Sequence, residues 1–569
     1  MAVYFKGLVF KTGRRIFSLI PNVSPDVEGS SRWATKREIR QGLMRINKKN
    51  VQSAQQAGVV LASDWRNYYV DTETVNSLFI GTTRSGKSQI EALMTIWLIS
   101  QCLQKQSFIA FDMKAELLEY SYADLIQQRY EIMVLNFQDP AQSSRYSPLS
   151  IIISAFLREA QRGDGDFSET VEMTNELAQI ITYNDKSDPV WPQSAKSLLV
   201  AIILFMLEEG YKRNCLDKVN MYSVYNFFIE LGSYEINVGK QSINALDALM
   251  SSLPTSHPAK MAYATSKFAI GDMRSSIYGT LASNLYPFAD SGIARMTSGN
   301  DIDFKKLTDP DKPCAVFLVV PDNKKSRYML ASLFVNQCYA QLLEYSHDYS
   351  RGMLPQRVRF ILDELGNMPS IPDLSTKITT GLGHNILFDL YVQSMAQLEE
   401  KYGRLDAKTI QGNCGNWMYI NSLDKDTNRY ISDQLSNSTT EYKTYSGESG
   451  QILDRSQMSH YKSRPLMTHD ELYRMKKGEV VTIRQRSYPI HTELPFFYKM
   501  QRPVTPIKDI KMQENKIPLR DILYPIDDIK KAVIAQVTKK GHSKTNSYLR
   551  RRQTANILIE FGYRVSKTI

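Results

Sequence analysis

Eight residues, Gly81-Thr82-Thr83-Arg84-Ser85-Gly86-Lys87-Ser88, restrict the fold more than any other stretch of the chain. They match G-x-x-x-x-G-K-[ST], and they stand between an apolar β-type run, Ser77-Leu78-Phe79-Ile80, and a helical pattern that begins near Lys87. Glycines at both ends let backbone N–H groups curl around phosphates, and the helix that follows turns its positive end toward them. In such a loop Lys87 carries charge to the β- and γ-phosphates of a bound nucleotide, and the Ser88 hydroxyl is placed to ligate Mg²⁺. The reading is therefore ATP with Mg²⁺ as cofactors, and residues 81–88 as their cradle.

A partner for that loop is found 275 residues further on. Phe360-Ile361-Leu362-Asp363-Glu364 is an apolar strand ending in two carboxylates, the pattern of a Walker B segment. Asp363 suits the task of holding Mg²⁺ through its water shell, and Glu364 that of polarising an attacking water as general base. At the end of the next apolar run stands Gln393, where a parallel sheet places polar side chains over its ligand crevice. Gln393 is read either as a sensor of the γ-phosphate or as an amide satisfied by backbone.

Short β-rich runs bounded by helical patterns occur both before residue 150 and after about residue 313, as expected of two halves of one α/β domain with a mainly parallel sheet. Residues from about 155 to 305 show helical periodicity with almost no strand signal, so an inserted all-α domain is predicted there. The expected organisation is a basic amphipathic segment (1–28), the first part of the nucleotide-binding domain (29–154), the all-α insertion (155–305), the second part of the nucleotide-binding domain (306–500) and a basic tail (501–569).

Composition fits a globular chain of two or three domains, with 43% hydrophobic and 23% charged residues over 569 positions. The five cysteines form no Cys-x-x-Cys pair and the seven histidines show no ligand spacing, which suggests neither a disulfide framework nor a zinc site. Leu198 to Leu207, the longest strongly apolar run, is about half of what a membrane span requires. Lys6, Lys11, Arg14 and Arg15 interrupt the first 23 residues, which suit a membrane surface or packing on protein better than a spanning helix. Net charge is +11, and residues 501–569 hold fifteen Lys or Arg against six acids, so most of the excess lies in the tail. Its densest run, Lys539 to Arg552, reads as a solvated end or a polyanion contact, with Tyr548 and Tyr563 as thin support for base stacking.

With these residues in hand the chain resembles the coupling proteins of type IV secretion and bacterial conjugation, within the wider group of FtsK- and HerA-like pumps. Gly29-Ser30-Ser31-Arg32-Trp33-Ala34-Thr35 is similar to the family's G-S-A-R-W-A-T motif, Asp112-Met113-Lys114-Ala115-Glu116 to D-x-K-G-E, and Ser144-Arg145-Tyr146-Ser147-Pro148-Leu149 to S-x-x-Y-N-P-L. Further matches are Leu362-Asp363-Glu364-Leu365-Gly366-Asn367 (L-D-E-F-x-N) and Val392-Gln393-Ser394-Met395-Ala396-Gln397-Leu398 (V-Q-S-x-x-Q-L). Ile410-Gln411-Gly412-Asn413-Cys414 resembles an I-x-G-N-C strand, and Arg464-Pro465-Leu466-Met467-Thr468 with Glu471-Leu472 resembles R-P-L-L-T-x-D-E-[IV].

The resemblance implies a RecA-like motor domain, an all-helical domain and a hexamer when active. It also implies ATP-driven delivery of a relaxase bound to single-stranded DNA, within its relaxosome, to the components of a type IV secretion channel. The family's spanning helices are not seen in this sequence, so the chain is either a trimmed piece of a longer protein or a variant held peripherally at the cytoplasmic face by a separate membrane protein as anchor. Where the family often carries a basic residue, this chain reads Thr380-Gly381-Leu382-Gly383-His384, so no arginine finger carries over to Leu382. Two other readings stay open: a nucleotide-switched recruitment platform, and a general DNA translocase.

Overall fold

The computed structural model describes residues 29–539, apart from 183–189, 239–240, 268–271, 322, 369, 447–455, 501–505, 509 and 511–513. The amphipathic segment 1–28 and nearly all of the Lys539 to Arg552 run, with Tyr548 and Tyr563, lie outside the described residues. The chain divides into two units, one of residues 1–106, 359–367 and 375–506, the other of residues 107–358, 368–374 and 507–569.

The first unit is built on strands β1 (Asn76–Gly81), β2 (Val358–Leu362), β3 (Ile386–Val392), β4 (Cys414–Asn421), β5 (Glu479–Arg484) and β6 (Ile490–Glu493). Their order in space is β6-β5-β4-β1-β3-β2. β1 runs parallel to both β3 and β4, while β5 is antiparallel to β4 and β6 to β5. Every residue of β1, β2 and β3 is buried, which is why these runs read as continuously apolar and not as alternating. Phe79 stacks on Tyr391 at 4.4 Å and Phe360 on Phe388 at 5.0 Å, so aromatic pairs on both faces hold neighbouring strands in register.

Two smaller ladders complete this unit. Met44–Asn47, Asn67–Asp71 and Val59–Ser63 form an antiparallel three-stranded sheet with Asn67–Asp71 in the centre. Asn437–Ser446 and Ser456–Pro465 pair along ten residues each. The GSSRWAT segment is tied to that second ladder by an N–H from Ser31 to Asn437 O at 3.0 Å, and Thr35 then caps the helix Lys36–Gly42 in a reciprocal box with Glu38.

In the second unit Cys314–Val319 lies between Ser107–Asp112 and Glu131–Asn136, with both pairings parallel. Helices dominate from Ser150 to Met296, the longest being Val190–Lys212 at 23 residues. Its apolar stretch Leu198 to Leu207 is wholly buried against its neighbours, and among the described residues no helix is long and apolar enough to cross a membrane. A short antiparallel ladder, Glu235–Val238 with Gln241–Asn244, interrupts the helices. It ends in Asn244, whose side chain accepts the N–H groups of Leu246 and Asp247 and so caps the next helix.

One motif residue carries strain. Ala115, at the glycine position of the D-x-K-G-E pattern, adopts the left-handed conformation with φ 58°, directly before the helix Glu116–Gln127. The turn is held by Asp112, whose carboxylate accepts the N–H groups of Lys114 and Leu118. The Ile410 to Cys414 segment also departs from expectation. Ile410, Gln411 and Gly412 finish the helix Met395–Gly412, and the strand begins only at Cys414.

Candidate nucleotide site

The loop after β1 is shaped by contacts that demand glycine at Gly86 and crowd the space beside Gly81. Thr82 N–H donates to Asn421 O at the end of β4 (2.8 Å), and Ser85 N–H closes a turn on Thr82 O (3.1 Å). Gly86 has φ 98°, and a Cβ there would lie 2.6 Å from the Phe496 ring. A Cβ on Gly81 would lie 2.6 Å from the Ser85 hydroxyl oxygen and 3.1 Å from Cγ of Lys87. Arg84 also takes positive φ, 67°, so the chain curls over Thr82 to Gly86 before it enters the helix.

That helix opens with a wide turn of π type over Ser88–Ala92 and continues as α-helix over Leu93–Gln101. Such turns carry an i to i+5 bond and are concentrated at functional sites. Lys87 is nearly buried at 5% exposure, and its ammonium donates to Gly81 O at 2.5 Å and Thr82 O at 3.4 Å, the carbonyls of the loop it closes. The Ser85 hydroxyl oxygen is sealed from solvent without a hydrogen-bond partner.

The acids arrive from β2. Ser88 Oγ donates to Asp363 Oδ2 at 2.8 Å, joining the loop to the strand end across 275 residues of sequence. Asp363 Oδ1 accepts the N–H of Glu364 at 3.1 Å. Glu364 is half-buried with φ 56°, a conformation that costs a non-glycine residue roughly 1–2 kcal/mol. Three bonds fix it: Asn367 N–H to Glu364 O (2.8 Å), Asn367 Nδ2 to Glu364 Oε2 (2.5 Å), and Leu365 N–H to Tyr391 O (2.9 Å). Strain of this kind persists where a functional group must be aimed.

Gln393 follows from the strand order. β3 lies between β1 and β2, and Val392 pairs with Ile80, so the next residue leaves the sheet level with Gly81, between loop and acids. Its N–H donates to Gln397 Oε1 at 3.1 Å. Gln397 also packs on Gly366, where a Cβ would lie 2.4 Å from Oε1, so it braces the turn that carries Glu364 against the end of β3. Sequence reasoning quoted Asn367 and Gln397 within motifs without giving them a role. Their signal is the spacing itself: an amide three residues after Glu364, and another four after Gln393.

Behind the loop lies a second group of charges. Arg359 and Asp389, on β2 and β3, are 1% and 0% exposed and form an ion pair in which Nη1 of Arg359 donates to both carboxylate oxygens, at 2.9 and 2.7 Å. Gln106 Oε1 accepts the Nε–H of Arg359 at 2.9 Å. Glu91, in the π turn, is fully buried, and burial pushes its carboxyl up to about 8 although the Thr95 hydroxyl (2.8 Å) and Val60 N–H (3.1 Å) donate to it. At neutral pH it is mostly protonated.

A strand, a glycine loop and a helix whose serine meets a strand-end aspartate, on a mostly parallel sheet accompanied by a helical region, define a RecA-like P-loop α/β fold with a mainly helical part, not the all-α insertion expected, since the ladder of Glu235–Val238 with Gln241–Asn244 interrupts it. Among solved structures, the plasmid coupling protein TrwB in complex with the ATP analogue ADPNP superposes with a TM-score of 0.58 at 14% identity, covering 86% of this chain and 95% of that one. TrwB with ADP and Mg²⁺ gives 0.56 at 15%, covering 84% and 96%. The chain belongs to the type IV secretory system conjugative DNA transfer family, whose profile matches residues 31–540. Protein VirD4 of Rhizobium rhizogenes is 24% identical over 469 residues, 80% of this chain and 63% of the relative. Protein VirD4 of Agrobacterium fabrum is 23% identical over 500 residues, 85% and 68%. The chain thus spans about two thirds of the length of these relatives.

Proposed function

We propose that this chain is an ATP-hydrolysing coupling protein, which recruits a relaxase joined to single-stranded DNA and delivers it to a conjugative type IV secretion channel. The observation that carries the reading is the 2.8 Å bond from Ser88 to Asp363, which unites the glycine loop and the strand-end acids in one place. The loop from Gly81 to Ser88 fits a triphosphate: Gly86 permits no Cβ, Gly81 leaves the loop closely packed, and Ser85 offers a buried hydroxyl in need of a partner. Ser88 and Asp363 supply one hydroxyl and one carboxylate, a donor set that suits Mg²⁺, which takes few protein ligands and keeps phosphate oxygens and waters. When bound, the ion neutralises charge that develops on the transferring phosphoryl group.

The protein's own residues have distinct tasks. Lys87 exchanges loop carbonyls for phosphate oxygens, Glu364 accepts a proton from the attacking water, and Asn367 aims that carboxylate. Gln393 holds the water or reads the γ-phosphate from the end of β3. Relaxosome, secretion-channel components, a membrane protein as anchor and a second to sixth copy of this chain are the partners in this reading, and the cytoplasmic face of the membrane is the place.

The test is release of phosphate from ATP with and without single-stranded DNA. Wild-type protein is expected to turn over and to be stimulated by DNA, while Lys87→Ala and Glu364→Gln fall by roughly 10²–10⁴. Wild-type rates indistinguishable from both variants, with DNA and membrane partner supplied, refute the motor.

A further inference from the structure

Apart from the loop, the first unit carries a surface cavity of about 700 Å³ on its small three-stranded sheet. Arg40, Arg45 and Arg66 line it, together with Asp64, Trp65 and Tyr69. Between residues 36 and 66 seven Lys or Arg stand against two acids, and both acids are engaged in holding the fold. Glu38 pairs with Arg32 and closes the capping box of Thr35. Asp64 accepts the N–H groups of Arg66 (2.8 Å) and Asn67 (2.7 Å) and the Tyr69 hydroxyl (2.7 Å). Arg45 and Arg66 have no salt-bridge partner among the described residues.

Those bonds to Asp64 fasten a tight turn, and the residue at its tip is Trp65, 78% exposed. The Arg66 guanidinium stacks over the indole at 3.9 Å. The same cavity thus joins a large aromatic held outward on a fixed turn to three arginines, an apolar ring beside a concentration of positive charge. A single nucleic-acid strand asks for open ring faces on which bases stack. Here the one exposed ring already carries an arginine, and Tyr69 is buried with its hydroxyl on Asp64. An indole beside arginines is instead the pairing that settles at the headgroup level of a bilayer, ring at the interface and guanidinium on lipid phosphate. The sequence of residues 1–28, which leads into this sheet, has the same mixture of apolar and basic residues.

We infer that the cavity around Trp65, Arg40, Arg45 and Arg66 receives the phosphate headgroups of an anionic bilayer, docking the first unit directly on the membrane surface. This contact is separate from any anchor protein and from the nucleotide chemistry.

The experiment is co-sedimentation of the full chain with vesicles of equal parts phosphatidylglycerol and phosphatidylcholine, against phosphatidylcholine alone. Wild-type protein binds the anionic vesicles, and binding falls as salt is raised. Replacing Arg40, Arg45 and Arg66 together by Gln weakens binding on the order of a hundredfold, since each cation near an anionic surface contributes roughly fivefold. Trp65→Ser alone weakens it several-fold, and neither variant changes affinity for the ATP analogue, which shows that the fold is intact. Unchanged sedimentation of the triple variant, or equal binding of wild type to neutral vesicles, overturns the proposal. So does a triple variant that loses a single-stranded oligonucleotide while keeping the vesicles, which assigns the cavity to nucleic acid.

Discussion

Asp363 and Asp389 stand at the ends of the same problem, and the first unit solves it in opposite ways. Both are buried carboxylates on adjacent strands, 9% and 0% exposed. Asp389 sits inside β3, its two oxygens both bonded to Nη1 of Arg359. Asp363 sits just past the end of β2, where a hydroxyl and a backbone N–H donate to it. A buried charge matched by a guanidinium is framework, because nothing is left for a ligand to do. Asp363 stands instead at the mouth of a phosphate loop, bonded to the loop's own Ser88, where its carboxylate is placed to serve a cation that arrives with the nucleotide.

Substitutions break this contrast in a definite order. Asp363→Asn keeps an acceptor for Ser88, so stability to urea stays within about 1 kcal/mol of wild type, while Mg²⁺-dependent turnover falls by roughly 10²–10³. Arg359→Met does the reverse at its source. It leaves Asp389 buried without its cation and costs roughly 3–5 kcal/mol in urea denaturation, and the double variant with Asp389→Leu recovers most of that loss. If Arg359→Met is as stable as wild type, Asp389 is not framework and the contrast fails.

Glu91 sharpens the comparison through pH. Its folded-state pKa is raised, so the unfolded chain gives up this proton above the ordinary carboxylate range while the folded chain holds it up to about pH 8. Stability from this group is therefore present at low pH and lost as pH rises through that window. Glu91→Gln, which keeps an acceptor for Thr95 and Val60, is expected to melt close to wild type at pH 5 and above it at pH 8. A gap that stays constant from pH 5 to pH 8 shows that the carboxyl is not held neutral.

The smallest effect concerns backbone strain. Glu364 and Ala115 both adopt left-handed φ, 56° and 58°. Ala115→Gly relieves the conformation without touching the site and should stabilise by about 1 kcal/mol, read as a shift of the urea midpoint, with turnover unchanged. Glu364→Gly gains similarly in stability and loses turnover.

Much of this was open to inspection in the sequence for a physical reason. Strands covered on both faces are apolar except where a buried charge finds its partner, as Asp389 does, so Ser77–Ile80, Phe360–Leu362 and Ile386–Val392 stand out, and the loop and acids fall at their ends. β5 and β6 pair at the sheet's antiparallel margin and mix polar with apolar residues, and the long ladder at Asn437–Ser446 is rich in Ser, Thr and Tyr, so neither gave a period to read. Ile410 to Gly412 ended a helix because the I-x-G-N-C resemblance marks the sequence around a strand's start and not the start itself. Within the site, the bond from Ser88 to Asp363 spans 275 residues and no local spacing encodes it, whereas Asn367 and Gln397 stand three and four residues from the groups they brace.

The position of β1 in the order β4-β1-β3 has a consequence for synthesis. Both of its neighbours lie more than 300 residues downstream, so as the chain leaves the ribosome this strand waits with two bare edges until Ile386 to Asn421 have emerged. A message cut short between the codons for Ser88 and Ile386 yields a product that holds the entire glycine loop yet lacks both strands that flank β1.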